Sequence, residues 1–425
     1  MLALILVIFF AFLILGCPIA IAMGVSVIPF FVMTPSASAI TIAQKMFSAC
    51  DSFSLMAIPF FMLAGSIMEQ TGIIKDMVRW ARCLVGHLRG GLAQTCTISG
   101  VVLAGVSGSA NADAAALGNM LLPAMKEEGY DPGYSVVCIS TAAGLGPIIP
   151  PSINMVIFCS IVGVSTGAMF SAGILPGVLL ACAYMVYNYM HARKNNMPRG
   201  TFCGFKVLLQ TTKEAFFALL MPIIIIGGIL GGIFTPTEAG VVACVYGIIY
   251  GISKKCLNVK SLLQCCGSAG LATVGCMIVI VVSTALSYVL ARLGVTQMIA
   301  SFCHTFISSP TLFLLFVILI NIISGCFIDA NAWMMMMLPI LWPIMQSYGI
   351  PELQFALVFV VSLLTGGITP PVGMYLLIIC GVDGTPLKST FKYIMPFLLC
   401  ELVVIVLMTF FPQIPYFIPK LIGTV

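Results

Sequence analysis

From Lys260 to Lys388 the chain carries no lysine or arginine except Arg292, and most of that stretch is apolar. A surface that meets water needs far more charge. Lys, Arg, Asp and Glu together make up 7% of the 425 residues, against roughly 25% in a soluble domain. Hydrophobic residues make up 61%, which excludes soluble, disordered and nucleic-acid-binding proteins. The chain reads as an all-α polytopic membrane protein. At about 20 apolar residues per span, its apolar content caps the crossings near a dozen. No polar stretch is long enough for a separate soluble domain.

The net charge of +5 sets orientation rather than naming partners. The first basic residue is Lys45, so the apolar N-terminus lacks the positive n-region of a cleavable signal peptide. The 17 cysteines are scattered, form no C-x-x-C pair, and read as free thiols acting as small hydrophobes. His87, His191 and His304 have no companion ligand spacing, so no transition-metal site is expected. There is no G-x-x-x-x-G-K-[ST] loop and no Ser/His/Asp constellation, so neither ATP-driven transport nor enzymatic chemistry is expected.

Basic residues cluster at Lys75 to Arg89, Arg193 to Lys213 and Lys254 to Lys260, all cytoplasmic by the positive-inside rule. The segments between them then cross an even number of times. Between the second and third clusters, residues 215–233 go out and 238–252 return. Between the first and second, residues 92–123 carry Ser107 to Asp113 at their centre. A straight span would bury Asp113 in mid-membrane, so a re-entrant hairpin from the cytoplasm is expected. Residues 134–164 are broken by Gly144 to Ser152; the prolines remove donors and interrupt the helix, giving one discontinuous span. Residues 168–190 return. At the start, Gly16-Cys17-Pro18 divides 1–33 into two short helices, with the N-terminus outside. Residues 53–72 make the third crossing, and 75–90, with Trp80, an interfacial amphipathic arm.

The same pattern recurs. Asp329 lies 216 residues after Asp113, and Leu338-Pro339 follows Leu122-Pro123 at the same offset. Pro370-Pro371 follows Pro150-Pro151, and Pro396 follows Pro176, at 220. Residues 267–291 cross outward, so the second hairpin, 311–345, enters from outside. Residues 353–380 form its broken partner, and 393–411 the last span. About 10–11 transmembrane helices with two hairpins in an inverted repeat indicate a secondary transporter.

Broken helices expose N–H groups and carbonyls that are tolerated at membrane depth only where they line a cavity or bind something. Half-helix N-termini suit a carboxylate, and free carbonyls suit Na⁺. One ion site per repeat is expected. Its candidates in the first repeat are Ser107, Gly108, Ser109, Asn111 and Asp113 at the tip, with Gly144, Gly146, Pro147 and Pro150 in the break. In the second they are Ser324, Gly325, Asp329 and Asn331, with Thr365, Gly366 and Thr369. Asp113 and Asp329 have an alternative role as caps of the second hairpin helix. The serines and asparagines have one as interhelical hydrogen bonds. Glu238 reads as a helix cap, Met334 to Met337 as packing, and Arg292 as an interfacial anchor rather than an anion site.

Several stretches together resemble the large membrane subunit of the tripartite ATP-independent periplasmic (TRAP) transporters. They are Leu15 to Ile19, Ser107 to Asp113, Pro147 to Ser152, Gly232 to Ala239 with its Phe-Thr-Pro-Thr-Glu element, Asp329, and Thr369 to Gly373. The likeness spans essentially the whole chain in order. It implies a Na⁺-driven importer of the bacterial inner membrane that takes up an acidic organic solute such as sialic acid, a C4-dicarboxylate or a sugar acid. It implies a small four-helix membrane subunit, a periplasmic binding protein, surrounding lipid, no cofactor beyond the coupling Na⁺, and an elevator motion. The solute is then expected between the tips, near Ser109, Asn111, Pro151, Ser152, Asn331, Pro370 and Pro371. The division expected is 1–90 scaffold helices and arm, 91–190 first transport repeat, 191–310 linker, scaffold helices and second arm, and 311–425 second transport repeat with the C-terminal helix. Competing readings are a stand-alone Na⁺/carboxylate symporter of the same architecture and an ion channel built on the paired loops.

Overall fold

The computed structural model describes residues 1–34, 39–197 and 199–424, and among them the regular structure is helical, apart from one isolated bridge between Arg89 and Arg199. The elements in order are α1 (Leu2–Ile14), α2 (Ile19–Met33), α3 (Ala39–Cys50), α4 (Ala57–Thr71), α5 (Ile73–Val85), α6 (Gly91–Ser107), α7 (Ala110–Glu127), α8 (Pro132–Ala143), α9 (Ile153–Val162) and α10 (Thr166–Lys194). They continue with α11 (Phe205–Leu230), α12 (Pro236–Ser253), α13 (Val259–Arg292), α14 (Val295–Phe306), α15 (Pro310–Gly325), α16 (Ala330–Ser347), α17 (Glu352–Gly366), α18 (Met374–Asp383), α19 (Phe391–Phe410) and α20 (Gln413–Ile422).

Among the described residues five helices, α10, α11, α12, α13 and the one ending at Phe410, are each long and apolar enough to cross a bilayer. The α3–α4 pair, bent by 57°, makes a further candidate span. The hairpins and broken spans are built from shorter pieces. α6 and α7 form the first hairpin, α8 and α9 the first broken span; α15 with α16 and α17 with α18 repeat the plan.

The basic clusters share one end of the molecule. Arg79 pairs with Glu214 at 3.4 Å and Arg82 with Glu128 at 2.6 Å. Tyr250 Oη donates to Asp76 at 3.0 Å, and the Trp80 indole N–H donates to Thr212 at 3.2 Å. By the positive-inside rule this end is cytoplasmic. The first hairpin starts and finishes there, since Lys126 pairs with Asp383 and Glu128 with Arg82. The second hairpin is rooted at the opposite end, where Tyr348 Oη donates to the Ile307 carbonyl at 2.9 Å. The two tips therefore approach each other from opposite faces.

The register of the repeat is simpler than the sequence pairing. α7 and α16 are both 18 residues long, and Ala330 lies 220 residues after Ala110. Of the two internal prolines of α16, Pro339 and Pro343, the second stands at the same step from the helix start as Pro123 does in α7. One offset of 220 then covers the hairpins as well as the paired prolines. This corrects the offset of 216: Asp329 corresponds to Ser109, not to Asp113, whose counterpart is Trp333. Like residues, Asp with Asp and Leu-Pro with Leu-Pro, do not stand at like positions in the two hairpins.

Other features follow local chemistry. Thr235 and Glu238 form a reciprocal capping box at the start of α12, the structural role expected of Glu238. Arg292 lies at the end of α13 with its guanidinium 5.8 Å from the Tyr288 ring centre, as an anchor would. Met334 and Met335 are buried and Met336 and Met337 partly so. Helices α3 and α20 lie outside the spans expected from the sequence. α20 packs its Thr424 end on α10, where Thr424 and Ser171 hydroxyls are 3.2 Å apart.

Candidate functional site: a central cavity at the two hairpin tips

The two tips and the two helix breaks line a partly open cavity of about 420 Å³. Four half-helices begin at its wall: Ala110 of α7, Ile153 of α9, Ala330 of α16 and Met374 of α18 all line it. Met62 of α4 and Ala272 and Cys276 of α13 close one side. No Lys or Arg is among the described lining residues, and Asp329 is the one carboxylate. The positive element of the wall is therefore backbone, from the N–H groups that no helical carbonyl accepts. Two of the four N-termini are occupied by their own side chains. Ser152 Oγ accepts from Met155 N at 3.2 Å, and Asp329 Oδ1 accepts from Asn331 N at 2.9 Å and Ala332 N at 3.4 Å. α7 and α18 have no side-chain cap.

The two aspartates thus hold different positions. Asp329 caps α16. Asp113 lies one turn into α7, is 1% exposed, and accepts a hydrogen bond from Ser107 Oγ at 2.6 Å. Its other oxygen, Oδ2, has no hydrogen-bond partner among the described residues. That oxygen faces the first break so closely that a Cβ on Gly146 would fall 2.5 Å from it. A buried carboxylate oxygen with no donor is costly, and at membrane depth it marks a functional position.

Each tip is locked to its break by close backbone contact. Gly108 turns the first hairpin at φ +59°, and a Cβ there would lie 2.5 Å from the Pro151 carbonyl oxygen. Its own carbonyl accepts from Ile153 N at 3.3 Å. In the second repeat Gly325 meets Gly366 in the same way.

The remaining expected residues divide between wall and support. Ser109, Asn111, Pro147, Gly325 and Asn331 line the cavity with Asp329. Gly144 ends α8, its N–H donating to the Ser140 carbonyl at 2.9 Å. Ser107 lines a smaller adjoining cavity with Asp113. Ser324 turns the second tip through its carbonyl, which accepts from Phe327 N and Ile328 N. Thr365 Oγ1 donates to Val361 O at 3.0 Å, and Thr369 Oγ1 to Thr365 O at 2.8 Å. Pro150, Pro151, Ser152, Pro370 and Pro371 are not on the cavity wall. Pro150 and Pro151 face Phe170 and Ile226 instead, and Ser152 is wholly buried with its hydroxyl donated to the Pro147 carbonyl at 2.6 Å. The peptide bonds Pro150-Pro151 and Pro370-Pro371 are both cis.

Three residues of interest escaped the sequence reading. Asn154 lines the cavity and donates from Nδ2 to Asn331 Oδ1 at 3.2 Å, joining the two repeats. Tyr375 of α18 also lines the cavity. Glu401 of α19 is buried, accepts a hydrogen bond from Tyr184 Oη, and has a second oxygen with no hydrogen-bond partner among the described residues. The signal for Asn154 and Glu401 was a polar side chain inside an apolar run.

A separate cavity of about 300 Å³ at the outer end, lined by Lys45 and Ser287 among others, shares no lining residue with the central one. In its wall Ser287 Oγ donates to the Met335 carbonyl at 3.0 Å. No group of three or more His, Cys, Asp or Glu able to hold a metal occurs among the described residues, and the described cysteines are free.

This architecture is shared with a solved transporter. The crystal structure of the Alcanivorax borkumensis YdaH transporter aligns with a TM-score of 0.63 over 87% of this chain and 88% of that one, at 13% identity. The family profile for the tripartite ATP-independent periplasmic transporter, DctM component, matches residues 6–414. The chain belongs to the DctM family of TRAP transporters. A putative TRAP transporter large permease protein of Haemophilus influenzae is 37% identical, over 96% of this chain and 95% of that one. The C4-dicarboxylate TRAP transporter large permease protein DctM of Vibrio cholerae is 34% identical, over 99% and 98%. The sialic acid TRAP transporter large permease protein SiaM of the same species is 31% identical, over 96% and 95%. This TRAP large permease is accordingly an integral inner-membrane transport subunit and not an enzyme.

Proposed function

We propose that this chain is the membrane-embedded half of a Na⁺-coupled importer for an acidic organic solute. The solute is of the sialic acid, C4-dicarboxylate or sugar-acid class, delivered by a periplasmic binding protein. A small four-helix membrane subunit completes the complex. The observation that carries this reading is the conjunction of uncapped helix N-termini on a cavity wall without Lys or Arg and, beside it, the donorless Asp113 oxygen. The N–H groups of α7 and α18 suit a carboxylate. The Asp113 oxygen, with Ser107 and the carbonyls of the Gly144 to Pro147 break, suits a hard cation. A Na⁺ at each tip neutralises the acidic residue there, Asp113 or Asp329, and so strengthens the hold on an anion in the cavity between them.

In this reading the hairpins and broken spans, 91–190 and 311–425, move together as an elevator against the helices of 1–90 and 191–310. The glycine contacts between each tip and its break, at Gly108 and at Gly325 with Gly366, support such a body moving as a unit. Uptake of labelled sialic acid and of a C4-dicarboxylate into proteoliposomes holding this chain with its small partner tests the reading. Uptake that needs both an inward Na⁺ gradient and the cognate binding protein supports it. Uptake without the binding protein makes the chain a stand-alone symporter, and ion current without saturable solute flux makes it a channel.

A further inference from the structure

A second cavity, of about 130 Å³, adjoins the central one and shares Met62, Ser109, Ala112 and Ala272 with it. Its upper end holds Ser107 and Asp113, and its lower end Ser66 and Glu69 of α4. Glu69 stands in the last turn of α4, immediately before the arm helix α5 that carries the Arg79 and Arg82 ion pairs. That turn is at the cytoplasmic end. Glu69 is exposed, and among the described residues no Lys, Arg or His pairs with it. Apart from Ser66, Ser107 and Ser109 and the two carboxylates, the described lining is apolar, with Phe61, Met68 and Leu103 beside Gly65, Ala116 and Ala269. The unpartnered Oδ2 of Asp113, in a side chain 1% exposed, belongs to the same cavity.

We propose that this cavity is the cytoplasmic release route for the coupling cation, and that Glu69 is a transient ligand at its mouth. The proposal rests on the Na⁺-coupled reading above. A cation held by a buried carboxylate leaves slowly into an apolar passage, because attraction at low effective dielectric is strong and falls off only with distance. A second carboxylate along the way lowers that barrier, as in any conduit where each site must bind weakly enough to release. The outer cavity shares no described lining residue with the central one. Glu69, at the cytoplasmic end, is thereby assigned to the cytoplasmic limb of the cycle.

The test is trans-inhibition by internal Na⁺ in proteoliposomes containing this chain and its small subunit. Binding protein supplied outside selects the correctly oriented molecules. Glu69→Gln and Glu69→Lys are expected to raise the internal Na⁺ needed for half-inhibition by about two- to fivefold, the scale of one solvent-reached carboxylate. The external Na⁺ giving half-maximal uptake stays at the parental value, and Glu69→Asp restores the parental internal value. Equal trans-inhibition in Glu69→Gln and parent overturns the route. So does a parallel change in both Na⁺ constants, which a merely structural role would produce. A parent protein indifferent to external Na⁺ removes the coupling cation itself, and is told apart because the defect then precedes any substitution.

Discussion

Asn154 of the first broken span donates a hydrogen bond to Asn331 of the second hairpin, Nδ2 to Oδ1 at 3.2 Å, and this is a side-chain link between the two repeats at the cavity wall. Each amide sits beside the start of a half-helix, α9 or α16. The bond therefore sets the spacing of two of the four N-termini that face the cavity.

Asn154→Ala is expected to raise the KM for the solute by up to about tenfold, the equivalent of one net hydrogen bond. Any change in the Na⁺ dependence should come from the second tip alone, because Asn331 is an ion-site candidate there, whereas Ser107 and Asp113 bond to each other and not to Asn154. Initial-rate uptake at varied solute and at varied Na⁺ separates the two.

Ser107→Ala removes the donor to Asp113 Oδ1 and leaves a buried carboxylate with no hydrogen bond at all. A bond to a charged group contributes about 1.5–3 kcal/mol. The first-repeat cation site loses both a ligand and its orientation, so the external Na⁺ for half-maximal uptake should rise by roughly tenfold or more. An unchanged Na⁺ constant would detach Ser107 from the site.

Much of this fold was legible in the sequence because glycine and proline interrupt apolar runs for only a few physical reasons. Gly144 to Pro151 and Thr365 to Pro371 mark both broken spans, and Ser107 to Asp113 marks the first tip. The register was not legible in the same way. Matching Asp113 to Asp329 by residue type places the hairpins four residues off the register of the broken spans, whereas helix starts at Ala110 and Ala330 set one offset throughout. The prolines misled for a related reason. Pro151 and Pro371 shape the backbone that delivers Ile153 and Met374 to the cavity without lining it themselves. Charge counting favoured the tips and passed over Glu401, a lone carboxylate inside an apolar helix.

Gly146→Ala is expected to abolish transport while leaving the protein folded and assembled. The added Cβ would lie 2.5 Å from Asp113 Oδ2, so the carboxylate or the break must shift. Overpacking of this kind costs about 1–3 kcal/mol. Solute uptake and a thermal-melting curve in detergent, read together, distinguish a displaced site from a lost fold.

Tyr184→Phe removes the hydroxyl that donates to Glu401. The carboxylate, already with one oxygen unpartnered, is then left without a donor from α10, with Thr365 its remaining polar neighbour. A destabilisation of about 1–3 kcal/mol is expected, read as a lower melting temperature. Glu401→Gln in the same background should recover part of it, because a neutral amide is cheaper to bury than a charge. No recovery would mean that the tyrosine acts through packing alone.

The most direct test of the account compares parent and Asp113→Asn in proteoliposomes with the small subunit and the binding protein. Uptake is driven by an inward Na⁺ gradient or by K⁺ at the same ionic strength. The parent is expected to accumulate solute in Na⁺ only, and Asp113→Asn to accumulate none although it still assembles with its small subunit. Equal accumulation in Na⁺ and K⁺, or full Na⁺-driven uptake by Asp113→Asn, would contradict it.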